Sequence, residues 1–321
     1  MPDLVEWRPG TLRGTRDLAP DVRLFEIDAP PGFGSPPPGG HVQFLLPIAG
    51  QSEVRSYSTL GGWTDGLCRI AVKALNPSRG GSATMWQLKP GARLTMSGPR
   101  NRFTLARDRP DYLLVAGGIG ITPLYGMALA LAEMGARFRL IYAVRRAEDA
   151  VLAQELRERI GHRLRLVVGT RVDFDAEAAM LQPGGEMYVC GPIGMLEAAK
   201  RAWRGSSHRV EGLRFETFGN SGRTPAERFT VRIPRLDVSF DVPESVTLLD
   251  ALEQAGVAMI HDCRRGECGL CALPILAADG VVDHRDVFFS DTEKAGNGKL
   301  CTCVSRLAGG VLTLDTGDRP G

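Results

Sequence analysis

No apolar run in these 321 residues approaches the roughly 20 that a membrane span requires. The start shows no charged-then-apolar leader, so the cytoplasm is the expected compartment and no membrane partner is expected. Neither sign of charge dominates: 39 Lys and Arg face 37 Asp and Glu, a net charge of +2, which gives nucleic acid binding no electrostatic support. No internal repeat is evident. Cysteine is scarce until late, because five of the seven fall in the last sixty residues. A disulfide framework is not expected of a chain this long with no leader evident. What remains is an ordinary globular composition, 43% hydrophobic and 24% charged, with room for two or three domains and a concentration of thiols suited to a metal.

Those thiols lie in His261-Asp-Cys-Arg-Arg-Gly-Glu-Cys-Gly-Leu-Cys271, with Cys301 and Cys303 downstream. Cys263, Cys268 and Cys271 leave gaps of four and two residues, the Cys-x4-Cys-x2-Cys…Cys spacing of a plant-type [2Fe-2S] cluster. Two bridged irons need four thiolates, and Gly266 and Gly269 let the loop turn tightly enough to aim its N–H groups at the sulfurs. A four-cysteine zinc site favours two Cys-x2-Cys knuckles, whereas only Cys268 and Cys271 form one, so structural zinc is the alternative. For the fourth ligand, Cys301 leaves a gap of 29 residues and Cys303 one of 31. Residues two apart on an extended segment share a face, so direction leaves both open.

Residues 1–107 carry short alternating runs, such as Val22–Ile27, His41–Leu46, Leu67–Val72 and Arg93–Met96, between turn-rich pieces. That spacing predicts an antiparallel β-barrel. Arg55-Ser56-Tyr57-Ser58-Thr59 places a cation, a ring and hydroxyls on one strand, which suits a flavin: phosphate on Arg55, the ring covered by Tyr57, its reactive nitrogen near Ser58. Gly80-Gly81-Ser82 predicts a serine-capped helix start, a phosphate site, and Ala71-Val72-Lys73 supplies the neighbouring strand.

From Asp111 the pattern becomes that of a doubly wound α/β parallel sheet. Tyr112–Ala116 reads as a buried strand, Gly117-Gly118-Ile-Gly120-Ile-Thr122-Pro123 as a turn, and Leu124–Met134 as a helix. Further strands are predicted at Arg139–Val144, Leu164–Val168 and Met187–Cys190, with a helix over Ala150–Ile160. Two loops then lie beyond strand carboxyl ends, Gly117–Pro123 and Cys190-Gly191-Pro192-Ile-Gly194, where ligands bind in such sheets. Arg145, Arg146 or Arg171 could hold a 2′-phosphate and favour NADPH. Gly219–Arg228 reads as a polar linker. Beyond it, Phe229–Ile233 and Val238–Val242 predict a hairpin, Thr247–Gly256 a helix, and Val311–Asp315 a closing strand. Ala277–Val281 reads as a hairpin turn and Asp283-His-Arg-Asp286 as a solvated polar loop. From Arg223 on, 11 Lys and Arg meet 15 Asp and Glu. Such an acidic electron-carrying module could dock on a basic patch of a partner or of its own reductase portion.

Cys303-Val-Ser-Arg306, Arg55-x-Tyr57-Ser58 and Gly80-Gly81-Ser82 resemble the phthalate dioxygenase reductase family, which includes the vanillate O-demethylase reductases. The resemblance favours Cys303 as fourth ligand and implies FMN, with the phosphate on the Arg-x-Tyr-Ser strand and the Gly-Gly-Ser turn and no added adenine loop. Gly117–Pro123 with Cys190-Gly191-Pro192 resembles the ferredoxin-NADP reductase superfamily. There the first loop meets the nucleotide phosphates, Thr122 also lies near the flavin, and Cys190 sits by the nicotinamide. Arg214-Phe-Glu-Thr-Phe-Gly219 resembles the family's Phe-Glu-x-Phe-Gly, which implies that Phe218 stacks on the flavin, with Glu216 nearby.

The resemblance covers nearly the whole chain and implies three parts: a flavin barrel (1–107), an NAD(P)H-binding domain (108–220), and, after a linker (221–228), an α+β β-grasp ferredoxin domain (229–321). A flavin matches a two-electron donor, NADH in this family, to a one-electron cluster, and no side chain is expected to act as nucleophile or general base. The implied role is the reductase of a separate Rieske-type aromatic oxygenase or O-demethylase, because no oxygenase iron ligands appear in the chain. A monomer is expected. A redox-sensing module without turnover, or a flavin reductase with structural metal, are the alternatives.

Overall fold

The computed structural model describes residues 6–48, 50–76, 78, 80–218 and 226–317. The chain divides into two compact units, Met1–Glu216 and Thr217–Gly321, so the break falls before residue 220. Among the described residues no helix is long and apolar enough to cross a membrane.

The first unit holds two sheets. Strands β1 (Trp7–Ala19), β2 (Val22–Asp28), β3 (His41–Ile48), β4 (Gln51–Ser58), β5 (Leu67–Lys73) and β6 (Arg93–Ser97) form an antiparallel sheet in the order β4-β3-β6-β1-β2-β5. The sheet curls until its ends meet: the Leu60 N–H donates to the Arg69 carbonyl at 2.8 Å, and Thr59 pairs with Ile70. Alternation sends Val42, Phe44 and Leu46 of β3 inward to meet Phe25, Ile70 and Met96. Helix α1 (Gly81–Gln87) adds Met85 to that core.

The second sheet runs β7 (Tyr112–Gly117), α2 (Ile121–Glu133), β8 (Phe138–Val144), α3 (Ala153–Ile160), β9 (Leu164–Val168), α4 (Phe174–Ala179), β10 (Glu186–Cys190), α5 (Ile193–Gly205) and β11 (Leu213–Glu216). Every strand pair is parallel, in the order β11-β10-β7-β8-β9. The chain moves from β7 out to β9 and returns on the other side, so the order reverses between β7 and β10. All of β7 is buried, as helices on both faces of a parallel sheet require. Helix α3 begins three residues later than the expected Ala150, because Ala147–Asp149 forms a 3-10 turn and Leu152 adopts φ 64°. Helices α4 and α5 went unread in the sequence.

The second unit is a β-grasp: β12 (Phe229–Ile233), β13 (Val238–Val242), α6 (Leu248–Gln254), β14 (Ala272–Asp283), α7 (Asp291–Ala295), β15 (Lys299–Cys301) and β16 (Arg306–Leu314), in sheet order β13-β12-β16-β14-β15. Only β12 and β16 pair in parallel. Thr247 caps α6 by accepting the Asp250 N–H at 3.0 Å. One expectation fails here. Ala277–Val281 is no turn but the middle of β14, paired with β16 through two bulges. Gly310 at φ 81° lies so close to β14 that a Cβ would stand 1.7 Å from the Asp279 carbonyl oxygen.

Candidate functional site

On β4, alternation puts Arg55 and Tyr57 half-buried on one face and leaves Ser56 exposed on the other, while Ser58 is buried at the strand end. Burial pushes the Tyr57 phenol well above its ordinary value, so the ring stays neutral. Arg55 lies across the start of α1: a Cβ on Gly81 would come within 2.9 Å of its Cγ. Gly80 holds φ 88°, and a Cβ there would stand 2.2 Å from Ile48 Cγ2. Only glycines bring this helix start against the arginine. The expected serine cap does not form. Gly80 is the N-cap, and Ser82 instead accepts the Leu75 N–H at 3.3 Å and meets the Ser78 hydroxyl at 3.1 Å. First-turn N–H groups beside a guanidinium form a cradle that fits a flavin phosphate. On β5, Val72 points into the core, whereas Ala71 lies on the opposite face with Lys73, whose Nζ is 2.6 Å from Asp21.

Strand β5 adjoins the Gly118–Gly120 turn. The two sheets are clamped there by side chains the motifs did not reveal. Arg69 of β5 donates from both terminal nitrogens to Glu155 of α3, each at 3.1 Å, and the Tyr125 hydroxyl donates to the same carboxylate. Burial works to raise the Glu155 carboxyl, but the hydrogen bonds from Arg69 and Tyr125 outweigh it and hold it below the usual range. Burial, reinforced by Glu155, pushes Tyr125 up to about 12. Gly126 of α2 meets Gly61 so closely that a Cβ would stand 2.8 Å from its Cα.

At the switch point the two nucleotide loops touch. A Cβ on Gly120 would stand 2.1 Å from the Cys190 carbonyl oxygen, and one on Gly117 would stand 2.7 Å from Pro192 Cδ. Gly191 is equally constrained by Met195 Sδ at 2.8 Å. Gly118 takes φ 53° with open space around it, leaving backbone accessible to a ligand. Thr122 donates to the Ile119 carbonyl at 3.0 Å, which ties the turn to the helix start. Cys190 is fully buried, and Glu216, also buried, pairs opposite it on β11. Phe218 is half-buried and falls in the second unit; Gly219 and the linker residues to 225 lie outside the described residues. After β8, Arg146 is engaged: its guanidinium meets Asp149 at 2.9 Å and Glu148 at 3.5 Å.

In the second unit the cysteine loop is shaped by glycines at φ 74°, Gly266 and Gly269. A Cβ on the first would stand 2.8 Å from Asp286 Cα, and one on the second 2.3 Å from the Phe288 ring. The Arg265 and Glu267 N–H groups both point at Cys263 Sγ, at 3.4 Å. The thiols crowd together. Cys271, Cys301 and Cys303 share one buried cluster with Leu249, Phe289 and Val304. The Cys303 thiol, helped by backbone N–H groups, holds Cys263 down to about 4 against the effect of burial. The Cys301 and Cys303 thiols likewise hold Cys271 down to about 2. The same contacts push Cys301 and Cys303 far up, and burial raises Cys268. Thiols this close cannot all ionise without cations between them. Among the described residues, no three His, Cys, Asp or Glu side chains close round a single ion. Four thiolates with amides aimed at sulfur fit the two-iron cluster.

The Asp283–Asp286 loop corrects a sequence expectation. It is buried, not solvated: Asp283 is 4%, His284 9% and Asp286 0% exposed. Asp286 accepts the Phe289 N–H at 3.0 Å and the Ser305 hydroxyl at 3.1 Å, while the Val287 N–H donates to the Gly266 carbonyl at 2.9 Å. This clamp joins the cysteine loop to the Cys303 turn. Alongside, Arg306 is 5% exposed and donates to the carbonyls of Val246 at 2.5 Å, Pro243 at 2.8 Å and Glu227 at 3.1 Å.

Comparison with known proteins agrees with this geometry. Residues 9–105 match the oxidoreductase FAD-binding domain, 114–178 the oxidoreductase NAD-binding domain, and 231–308 the 2Fe-2S iron-sulfur cluster binding domain. The heme-dependent oxidative N-demethylase beta subunit of Ectopseudomonas mendocina is 37% identical over 94% of this chain and 96% of its own. The carnitine monooxygenase reductase subunit of Escherichia coli is 34% identical, covering 93% and 95%. The solved structure of phthalate dioxygenase reductase, described as modular for electron transfer from pyridine nucleotides to [2Fe-2S], superposes with a TM-score of 0.74 at 30% identity, covering 96% and 98%. The flavin-, nucleotide- and cluster-binding domains follow one another along the chain, and it belongs to the phthalate dioxygenase reductase family of NADH-dependent flavin and iron–sulfur oxidoreductases.

Proposed function

We propose that the chain is the reductase component of a two-component oxygenase, taking electrons from NADH through FMN to a [2Fe-2S] cluster and on to a separate Rieske-type oxygenase. Its division is read as a flavin domain (1–107), a nucleotide domain (108–220), a linker (221–228) and a ferredoxin domain (229–321). The observation that carries the reading is the meeting of β5 with the Gly118–Gly120 turn beside the Cys190 loop, inside one compact unit. Flavin residues and nucleotide residues thereby share one face.

The residues act by binding and orientation. Arg55, Gly80 and Gly81 hold the flavin phosphate; Tyr57, Ser58, Ala71, Val72, Lys73 and Thr122 shape the ring site, with Ser56 and Ser82 supporting the strand and loop. Gly117, Gly118, Gly120, Gly191 and Pro192 let the backbone approach the dinucleotide, and Cys190 lies by the nicotinamide. Cys263, Cys268, Cys271 and Cys303 hold the cluster. The flavin, when bound, would accept two electrons from the nucleotide and pass them one at a time to the cluster. The ion pairing of Arg146 with Asp149 and Glu148 removes one candidate 2′-phosphate partner and supports NADH. A second acceptor, a haem oxygenase, is favoured by the N-demethylase relative.

Anaerobic titration of the purified protein with NADH, followed by visible absorption and EPR, tests the relay. Flavin bleaching accompanied by a rhombic [2Fe-2S] signal is expected. Bleaching without that signal in iron-replete protein overturns it, and mixing with Rieske and haem oxygenases separates the two acceptors.

A further inference from the structure

Strand β5 and helix α2 carry opposite halves of the site, and one carboxylate ties them together. On β5, Cys68, Ile70 and Val72 belong to the barrel core, so alternation puts Arg69 on the other face with Ala71 and Lys73. Helix α2 starts directly after the Gly118–Gly120 turn, and Tyr125 stands one turn along it from Thr122, on the same side. Glu155 lies in the first turn of α3. Its two oxygens take the two terminal nitrogens of Arg69, each at 3.1 Å, and one of them also accepts the Tyr125 hydroxyl. Such a two-pronged pair fixes angle as well as distance. The seam around it is close. Gly126 meets Gly61 backbone to backbone, and a Cβ on Gly39 would stand 2.5 Å from Met127 Cε. The Arg69 carbonyl holds the segment before Gly61 by accepting the Leu60 N–H at 2.8 Å, so Arg69 grips both sides of that seam.

We propose that Glu155 is a positioning residue for hydride transfer: by holding Arg69 of β5 and Tyr125 of α2 on one carboxylate, it sets how closely the nucleotide turn approaches the flavin strand, and so the rate of transfer rather than the affinity for nucleotide. The glycine contacts set only the closest approach, and the ion pair keeps the two elements there. In the step itself a C–H bond of NADH breaks and an N–H bond forms on the flavin, so NADH is oxidised to NAD+ and the flavin is reduced by two electrons. Glu155, Arg69 and Tyr125 give and take no proton. A misplacement of about 1 Å between reacting partners can slow such a step about a hundredfold. The inference rests on the reading that the flavin lies along β4 and β5 and the nucleotide at the Gly118–Gly120 turn.

The test uses the full flavin-loaded chain with Glu155→Ala, Arg69→Ala, the double variant and Tyr125→Phe, each below its melting temperature. Stopped flow under anaerobic conditions gives the limiting rate of flavin bleaching at saturating NADH, and the change that NAD+ causes in the flavin spectrum gives its Kd. Glu155→Ala and Arg69→Ala are each expected to slow bleaching about tenfold to a hundredfold while the Kd for NAD+ stays within about twofold. The double variant is expected to be no slower than the slower single, because either change already breaks the pair. Tyr125→Phe removes one hydroxyl from the carboxylate and is expected to slow bleaching about threefold. An unchanged limiting rate in Glu155→Ala overturns the inference, as do losses that multiply in the double variant or a loss confined to NAD+ affinity. If the alanine variants do not hold flavin, Tyr125→Phe decides, and an unchanged rate there overturns the inference. Wild-type protein that NADH does not bleach sinks the underlying relay, whereas a bleaching wild type with unaltered variants sinks only the positioning role.

Discussion

Replacing Asp286 with alanine removes the clamp between the cysteine loop and the Cys303 turn. The Phe289 N–H and the Ser305 hydroxyl lose their acceptor in a place water does not reach. Each buried group so orphaned costs about 1–3 kcal/mol, and breaking a buried charged network costs about 3–5 kcal/mol in all. A unit of about 100 residues has only about 5–15 kcal/mol of stability, so the second unit is expected to melt about 15 °C lower. Asp286→Asn keeps an acceptor oxygen and is expected to lose about half as much. The pH dependence has a definite sign. Burial works to raise the Asp286 carboxyl, but the neighbouring His284, the Phe289 N–H and the charge of Lys294 hold it below the usual range. Its contribution is therefore complete above the unfolded carboxylate value near 4 and is lost as pH falls through the lower folded value. Wild type and variant should differ by a constant amount from about pH 6 to 8 and converge in acid. The assay is thermal unfolding of the full chain followed by the cluster's visible circular dichroism. A shift of under about 3 °C for Asp286→Ala at pH 7, less than 1 kcal/mol, would refute the clamp.

Three further outcomes follow from the first unit. Glu155→Ala strands the half-buried Arg69 and the buried Tyr125 and is expected to cost about 2 kcal/mol after allowance for partial exposure, or about 4–8 °C in the melting of that unit; an unchanged melting temperature rejects the clamp. Gly120→Ala drives a methyl group into the Cys190 carbonyl and, by parting the two loops, is expected to lower kcat/KM for NADH about tenfold or more, with flavin content retained; unaltered kinetics would show that the loops tolerate separation. Asp149→Asn frees Arg146 and is expected to raise kcat/KM for NADPH about tenfold while leaving NADH within about twofold, which parallel assays of the two nucleotides check.

Much was legible wherever neighbouring residues decide the outcome. Phe229–Ile233 and Val238–Val242 became β12 and β13 with the bounds their alternation predicts, because period-two patterning is a property of the segment itself. The glycine stretches at 80–81 and 117–120 were read as turns leading into helices, and α1 and α2 begin there. The errors came where a distant segment wins. Ala277–Val281 has turn composition, yet pairing with β16 draws it into a bulged strand. Asp283–Asp286 has the polarity of a surface loop, yet it satisfies donors at Phe289 and Ser305 and packs against Gly266. Ser82 looked like a cap because a cap needs only local chemistry, but its hydroxyl is taken by the Leu75 N–H.

The sequence by itself determined the cofactor chemistry and the order of the domains, because thiol spacing, glycine-rich turns and hydrophobic periodicity are carried by residues close together in the chain. Only the tertiary structure decided that Glu155 ties Arg69 to Tyr125 and that Asp286 is buried. Each of those depends on groups brought together from separate segments, where burial and pairing set the energy and local pattern carries no record of the partner.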